Sequence, residues 1–250
     1  MHRTDEEIYE EQERRRIAAL RVRRRKQRKQ QIIVRCICMA ALFITLVLIA
    51  LLVKRTVASQ TDSSVVTADQ VKYVQESPDF VVELLTPNEY SRPQTALEEV
   101  NGIVIHYTAN PGTTAEQNRS YFESLKDTGE TYASSHFVIG MEGEIIQCVP
   151  CNEIAYASND RNEDTISIEC CIPDDTGKFT DATYGSLTKL VVWLMGRYDL
   201  TTEQVIRHYD VTGKNCPKYY VEHADTWEQF KSDLIDYIDA NGIEKEKQIN

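Results

Sequence analysis

Four residues whose side chains can bind metals or transfer protons stand close to two apolar segments of the chain. His106 follows the apolar stretch GIVI, and His208 follows QVIR in the same way. Lys214 and Cys216 come shortly after His208, within RHYDVTGKNCPKYY. Gly, Asn and Pro are too frequent in this stretch for a regular helix. We therefore expect a loop that places a lysine and a thiol near the second histidine.

These side chains suit a zinc site, because zinc is bound in proteins mainly by imidazole nitrogen and thiolate sulfur. Two strands that each end with a histidine, His106 and His208, would bring both rings to one edge of a sheet. A returning loop with Cys216 would add a third ligand, and three protein ligands leave a fourth position for water, as in catalytic zinc sites. From the residues alone, packed or hydrogen-bonded histidines remain an alternative, and Cys216 could equally be a buried thiol or half of a disulfide.

The elements that must position these residues can be predicted from the apolar pattern. Short β-branched segments predict strands at 102–107, 136–140, 144–149, 165–171 and 204–209. Apolar residues at spacings of three and four predict helices at 184–198 and 226–240. A third helix, at 114–125, is predicted by a capping box that starts at Thr113 or Thr114. The expected fold class is α/β, with a mixed central β-sheet flanked by helices.

Four segments resemble a known family in their order and spacing: IVIHYT, SSHFVIGMEGEIIQCVP, DTISIEC and RHYDVTGKNCP. The family is that of the zinc-dependent N-acetylmuramoyl-L-alanine amidases of type 2, which includes bacteriophage amidase lysozymes and animal peptidoglycan recognition proteins. The resemblance covers about residues 98–238. It implies that His106, His208 and Cys216 bind Zn²⁺ and that Lys214 lies beside the metal. The implied reaction is hydrolysis of the amide between N-acetylmuramic acid and the L-alanine of the peptidoglycan stem peptide.

The reaction needs a base, and Glu169 is the candidate. Alternation along TISIECC places Ile166, Ile168 and Cys170 on one face of a strand and Ser167, Glu169 and Cys171 on the other. A carboxylate in the middle of an apolar strand is costly without a partner or a function. Enzymes of the family use a glutamate or a tyrosine near the zinc, and Glu169 resembles the glutamate in its SIE context. At the usual tyrosine position this chain has Ser135. Tyr132 remains a weaker candidate, and a salt-bridged structural role for Glu169 remains an alternative.

The other histidine and cysteines of the same region have structural interpretations. We interpret His136 as a residue of the cleft wall or a hydrogen-bonding residue. Cys148 and Cys151 resemble half of a structural zinc motif, but we favour buried thiols on adjacent strands. Cys170 and Cys171 should point to opposite faces of their strand.

An apolar run near the N-terminus predicts a membrane anchor. Residues 36–53 contain no charge, and residues 32–34 extend the run across Arg35, which is long enough for a helix to cross a bilayer core of about 30 Å. Residues 1–35 hold 12 basic and 6 acidic side chains, so this end should stay in the cytoplasm. A cleaved signal peptide fits less well, because a charged stretch of about thirty residues precedes the run and Lys54-Arg55 follows it.

These patterns divide the chain into five expected parts. They are a cytoplasmic basic tail (1–31), a transmembrane helix (32–53), an extracytoplasmic linker and lead-in (54–97), the amidase domain (98–240) and a C-terminal tail (241–250). After Arg55 there are 14 basic and 33 acidic residues, and this negative charge argues against a nucleic-acid partner. The expected partners are peptidoglycan and, through the single helix, the cell membrane, with the catalytic domain facing the cell wall.

Two other functions remain open. A peptidoglycan sensor would keep the cleft but lack catalysis, and binding-only relatives among the animal proteins have lost the ligand cysteine. This chain retains Cys216 and Lys214, which favours an enzyme. A scaffold for wall-synthesis proteins would leave the two histidines, Lys214 and Cys216 without a common purpose.

Overall fold

The computed structural model describes residues 72–245. Eight strands are present in this range: β1 (Lys72–Tyr73), β2 (Val81–Val82), β3 (Gly102–Tyr107), β4 (Phe137–Ile139), β5 (Ile145–Gln147), β6 (Thr165–Cys170), β7 (Val205–Arg207) and β8 (Ile243–Glu244). The same range holds five α-helices: α1 (Ala115–Thr128), α2 (Asp181–Tyr198), α3 (His208–Thr212), α4 (Lys218–Glu222) and α5 (Ala224–Asn241). Two 3₁₀ turns occur at Asn159–Arg161 and Thr202–Gln204.

Six of the strands form one mixed sheet in the order β2-β5-β4-β6-β3-β7. Only β4 and β5 pair antiparallel within this sheet. β3 lies between β6 and β7 and runs parallel to both, so the carboxyl ends of these three strands meet at one edge. The register pairs His106 with Glu169, and Glu169 with Val138 of β4. Side chains at paired positions share a face, so two candidate site residues are neighbours on the sheet.

Helices cover both faces of the sheet, which confirms the predicted α/β class. On one face α2 and α5 pack on each other and over the apolar side chains of β3 and β6, such as Ile105 and Ile168. On the other face α1 packs against β4 and β5, where Val138 and Ile146 are buried. Both layers exclude water from the sheet, as expected for strands composed of continuous apolar runs.

The predicted strands and helices occur in the predicted order, with ends that shift by at most three residues. Helix α1 begins with the predicted capping box, in which the Thr114 hydroxyl accepts from the Gln117 backbone and the Gln117 side chain accepts from the Thr114 backbone. It ends at Gly129, whose φ of 58° is the left-handed conformation that glycine adopts without strain.

Residues before the predicted domain start also belong to the folded part. β2 adds an edge strand parallel to β5, and Leu85 is completely buried beside α1. The Thr86 hydroxyl donates to the Glu123 carboxylate of α1 at 2.6 Å. Arg92 donates to both carboxylate oxygens of Glu153 at 2.8 Å. Part of the expected lead-in is therefore fixed to the sheet and to α1.

The basic tail (1–31), the expected membrane helix (32–53) and residues 54–71 of the linker lie outside the described residues, as do residues 246–250. Between Lys72 and Lys245, no helix combines the length and the apolar character needed to cross a membrane.

Candidate metal centre

The structure brings three of the predicted site residues into one buried group: His106, His208 and Cys216. Their ligand atoms all lie within 4.8 Å of one another. The Nδ1 atoms of the two histidines are 3.1 Å apart, and Cys216 Sγ lies 3.9 Å from His106 Nδ1. Each of the three residues is at most 6% exposed. Two imidazole nitrogens and one sulfur thus converge on one point.

The parallel pairing of β3 and β7 explains why the two histidines meet. Ile105 of β3 is paired with Arg207 of β7, so the next residue of each chain segment, His106 or His208, emerges at the same edge. His106 still belongs to its strand, whereas His208 is the first residue of helix α3. The prediction that His208 ends a strand was therefore wrong by one residue, although its position at the sheet edge was right.

The stretch after β7 was predicted as a loop, but it contains two helices of one turn each, α3 and α4. The Asp210 carboxylate accepts from the Arg207 backbone at 2.9 Å and so caps the start of α3, which composition alone did not reveal. Gly213, at φ 77°, ends α3 and turns the chain back. The Tyr209 backbone N–H then donates to the Cys216 carbonyl at 2.8 Å, which holds the cysteine beside His208.

The outer nitrogens of both histidines are bound by a turn that the sequence analysis did not identify. His106 Nε2 lies 3.1 Å from Ser158 Oγ, and His208 Nε2 lies 3.1 Å from Asn159 Oδ1. The Asn162 side chain holds this turn by accepting from the backbone N–H groups of Ala157 and Ser158. The only sequence signal was a cluster of polar residues, SNDRN, typical of a turn.

These contacts occupy Nε2 of each ring and leave Nδ1 facing the cluster. Asn159 Oδ1 can only accept, so neutral His208 carries its proton on Nε2 and presents the lone pair of Nδ1 to the cluster. Ser158 Oγ can accept from His106 Nε2 in the same way. Hydrogen bonds of this kind, on the nitrogen away from the ion, are how metal-binding histidines are usually oriented.

Burial controls the protonation of the group. It lowers the pKa of His106 well below the usual value, and the neighbouring His208 and Lys214 charges lower it further. Burial and Lys214 also lower the pKa of His208. Both rings are therefore neutral at pH 7, the form that can bind a metal. Burial raises the pKa of the Cys216 thiol to about 12, and the Glu169 carboxylate contributes to the rise.

Glu169 lies next to this group, where the family resemblance places a glutamate. Its Oε1 is 4.0 Å from His106 Nδ1. Its side chain is 18% exposed, but Oε2 is buried and has no hydrogen-bond partner within residues 72–245. Burial raises the pKa of this carboxyl group to about 7, although the Lys214 charge opposes the rise. A carboxyl group with this pKa can both take up and release a proton near neutral pH.

Lys214 is exposed and lines the same cleft as His106, Glu169 and His208. Its positive charge adds to the lowering of the pKa of both histidines and partly offsets the rise in the pKa of Glu169 and Cys216. It is placed by the turn after Gly213, where its backbone N–H donates to the Thr212 hydroxyl at 3.3 Å.

The other candidates occupy different positions. Tyr132 lines the cleft, but its hydroxyl donates to Glu89 at 3.1 Å. Ser135 is fully buried and donates to the carbonyls of Phe137 and Ser167. His136 uses both ring nitrogens in hydrogen bonds, because Nδ1 accepts from the Ser167 backbone and Nε2 lies 2.9 Å from the Glu153 carbonyl. His136 is thus a hydrogen-bonded residue, as expected.

The remaining cysteines, Cys148, Cys151, Cys170 and Cys171, are free thiols and form no disulfide in the described range. The expectation of buried thiols on adjacent strands was wrong in part, because Cys148 and Cys151 follow β5 outside any strand and Cys151 is only half-buried. Cys170 and Cys171 are buried on opposite sides of the sheet, in the α2/α5 layer and the α1 layer respectively.

The cluster of His106, His208 and Cys216, which we call the metal group, lines a cleft of about 420 Å³, a size typical of ligand sites. Its other walls come from α1, the segment before β4 and the 156–162 turn, including Phe122, Tyr132, Tyr156 and Asn162. A larger groove of about 900 Å³ lies between residues 74–79 and the helices α2 and α5. None of the metal group, Glu169 or Lys214 lines that groove, so the smaller cleft is the candidate active site.

Comparisons with known proteins identify a family and relatives of this chain. The sequence model of the family described as N-acetylmuramoyl-L-alanine amidase matches residues 96–219. The chain is 34% identical over 172 residues to N-acetylmuramoyl-L-alanine amidase CwlL of Bacillus licheniformis, covering 63% of this chain and 47% of CwlL. It is 30% identical over 187 residues to the amidase BlyA of Bacillus subtilis, covering 66% of this chain and 49% of BlyA. The chain thus spans about half the length of these relatives.

Solved structures show the same fold. The catalytic domain of XlyA superposes with a TM-score of 0.53 at 26% identity, covering 63% of this chain and 99% of that domain. XlyA of Bacillus subtilis is itself named an N-acetylmuramoyl-L-alanine amidase. The structure of PlyL superposes with a TM-score of 0.54 at 24% identity, over 63% of this chain and 97% of PlyL.

The matched segment contains the whole candidate site, from His106 in β3 to Cys216 after α3. Residues 96–219 of this chain belong to the N-acetylmuramoyl-L-alanine amidase family.

Proposed function

We propose that this protein is a zinc-dependent amidase that hydrolyses the amide between N-acetylmuramic acid and the L-alanine of the peptidoglycan stem peptide. The observation that carries the proposal is the convergence of His106, His208 and Cys216 in the lining of a cleft within an amidase-family domain. Glu169 and Lys214 beside this group supply the proton-transfer and charge-stabilising functions that amide hydrolysis needs.

The residues present fit zinc. Two neutral imidazoles and one cysteine are a donor set that zinc prefers, and three protein ligands leave room for a substrate or water. Ser158 and Asn159 direct both histidine lone pairs into the same small space. A bound zinc ion would supply Lewis acidity toward water and the amide carbonyl.

Glu169 is the residue we assign to proton transfer. Its carboxylate faces the cleft beside His106, and its pKa near 7 lets it accept a proton from the attacking water and donate that proton to the leaving nitrogen. The buried Oε2 without a hydrogen-bond partner among residues 72–245 would be a cost in a purely structural residue. Tyr132 fits the role less well, because its hydroxyl is engaged by Glu89 and its pKa is raised by that contact.

Lys214 is the residue we assign to stabilising the negative charge that develops on the carbonyl oxygen. Lys214 is exposed in the lining of the cleft, so its ammonium can contact a bound substrate. A preorganised donor of this kind typically contributes about 2.7–4 kcal/mol to stabilisation of the transition state.

We further propose that the enzyme is attached to the cell membrane by residues 32–53, with residues 1–31 in the cytoplasm and the amidase domain facing the cell wall. The support is the uncharged run at 36–53, the basic residues that precede it and the acidic composition of the rest of the chain. This orientation would place the cleft on the side of the membrane where peptidoglycan lies.

The test of the function uses the full-length chain purified in mild detergent and incubated with purified peptidoglycan. We expect mass spectrometry to detect free stem peptides that begin with L-alanine. Because the proposed reaction depends on a bound zinc ion, a chelator should abolish the activity and added zinc should restore it. Peptidoglycan binding without any cleavage would instead indicate a sensor, and neither binding nor cleavage would favour a scaffold.

The turn that binds the outer histidine nitrogens gives a separate prediction. Asn159→Gly removes the amide that accepts from His208 but tolerates the φ of 52° at this position. We expect its zinc dissociation constant, measured by competition with a chromophoric chelator, to rise about 10- to 100-fold. Asn159→Asp keeps an acceptor oxygen and should bind zinc nearly as tightly as the parent. Equal affinities in all three proteins would contradict an orienting function of this turn.

A further inference from the structure

Three tyrosine rings pack against one another beside the cleft, tilted at 42° and edge-to-face at 83°, and we call Tyr90, Tyr132 and Tyr156 the tyrosine wall. The rings of Tyr90 and Tyr132 have centroids 5.3 Å apart, and those of Tyr132 and Tyr156 are 5.5 Å apart. Tyr132 is the central member and is 56% exposed, whereas the other two are half-buried. Tyr132 and Tyr156 line the same cleft as the metal group.

Backbone hydrogen bonds join the segment that follows Tyr132 to the segments of Tyr90 and Tyr156. The Ala133 N–H donates to the Tyr90 carbonyl, and the Ser134 N–H donates to the Tyr156 carbonyl, both at 3.1 Å. The Ser134 hydroxyl in turn accepts from the Tyr156 N–H at 2.9 Å. Three segments that are distant in sequence thus meet at this point. A large aromatic side chain that is exposed on such a rigid support is pre-organised for contact with a ligand.

The rim of the wall also carries a charged acceptor. Glu89 is exposed, and one of its carboxylate oxygens accepts from the Tyr132 hydroxyl, which fixes the direction of the ring. A carboxylate has two oxygens and accepts several hydrogen bonds. An aromatic face beside a carboxylate complements a pyranose ring, which has an apolar C–H face and a polar edge of hydroxyl and amide donors.

We infer that the tyrosine wall is a saccharide subsite, on which Tyr132 stacks an N-acetylated sugar ring of the glycan strand while Glu89 accepts from its polar edge. The inference rests on the proposed function. It extends that function by assigning one part of the cleft to the sugar and another part to the stem peptide. In the proposed substrate the scissile amide joins a sugar to a peptide, so the two parts must leave the metal group in different directions. The exposed ring of Tyr132 favours the sugar on that side, and the stem peptide then occupies the part of the lining that the wall does not provide, which includes Lys214.

The test measures binding of a ligand that cannot be hydrolysed, so it does not depend on activity. The probe is the disaccharide of N-acetylglucosamine and N-acetylmuramic acid without peptide, titrated into the full-length protein by calorimetry. We expect Tyr132→Ala to raise its dissociation constant about tenfold, which corresponds to about 1.4 kcal/mol. Tyr132→Phe keeps the ring and should retain most of the affinity. Tyr121→Ala, which removes a tyrosine 44% exposed on α1 outside the cleft, is the matched control.

A stem peptide that begins with L-alanine, titrated in parallel, completes the test. Its affinity should be the same for the parent protein and Tyr132→Ala. The inference is overturned if the parent protein does not bind the disaccharide, if Tyr132→Ala binds it equally well, or if the variant loses the peptide instead. Disaccharide binding that depends on Tyr132 in a protein that releases no stem peptide would contradict the proposed amidase activity but leave the subsite in place. Zinc content and thermal unfolding of each variant exclude a general effect on the fold.

Discussion

Replacement of Cys216 by alanine should abolish both zinc binding and release of stem peptides. Cys216 supplies the only sulfur within the group of three ligand residues, and its loss would leave two imidazoles that hold an ion far less tightly. Elemental analysis after dialysis should show one zinc per parent protein and close to none in the variant. Activity on purified peptidoglycan should fall to the background and should not return at zinc concentrations that saturate the parent protein.

The matched control for this experiment is Cys148→Ala. Cys148 is also a buried free thiol whose pKa burial raises to about 12, but it lies under α1 and not in the metal group. It should retain zinc and activity, so any general cost of removing a buried sulfur would appear in this variant. Cys216→Asp, which offers zinc an oxygen ligand, should keep part of both properties. Full zinc content in Cys216→Ala would exclude this residue as a ligand.

Replacement of Glu169 by glutamine should leave zinc binding intact and reduce kcat by a factor of about 10²–10⁴, the usual contribution of a general acid or base. The substitution keeps the size of the side chain but removes its capacity to take up a proton. Because Oε2 is buried without a hydrogen-bond partner among residues 72–245, the variant should be no less stable than the parent protein in thermal unfolding. The combination of lost turnover, retained zinc and retained stability distinguishes proton transfer from a structural role.

Glu153→Gln provides the comparison for a structural carboxylate. Glu153 forms a bidentate pair with Arg92, and both side chains are at most 14% exposed. Its replacement should lower the thermal stability but leave kcat unchanged. Tyr132→Phe should also retain kcat. An active Glu169→Gln protein together with an inactive Tyr132→Phe protein would assign the base to the tyrosine instead.

The sequence was sufficient for the parts of the site that depend on local periodicity. Alternation along the strands predicted that Glu169 faces away from Ile166 and Ile168, and the β3–β6 register places it beside His106. The helix α1 could be predicted from its capping box, because the Thr114 and Gln117 contacts are made within four residues of chain. The histidines were predicted at the sheet edge because each follows a short apolar segment.

The family resemblance, not periodicity, indicated which histidines and which cysteine act together. His106 and Cys216 are 110 residues apart, and no local pattern relates them. The metal group exists because β3 and β7 are neighbours in the sheet, which is a property of strand order.

Only the tertiary structure decided the contacts made by irregular segments. The turn that binds the outer histidine nitrogens through Ser158 and Asn159 depends on its backbone path, fixed by the Asn162 side chain. The tyrosine wall joins residues from three loops, and the edge strand β2 comes from a segment with few sequence signals. Sequence periodicity predicts helices and strands because their geometry repeats. Loops have no such repeat, so the partners of their side chains are settled only when the whole chain packs.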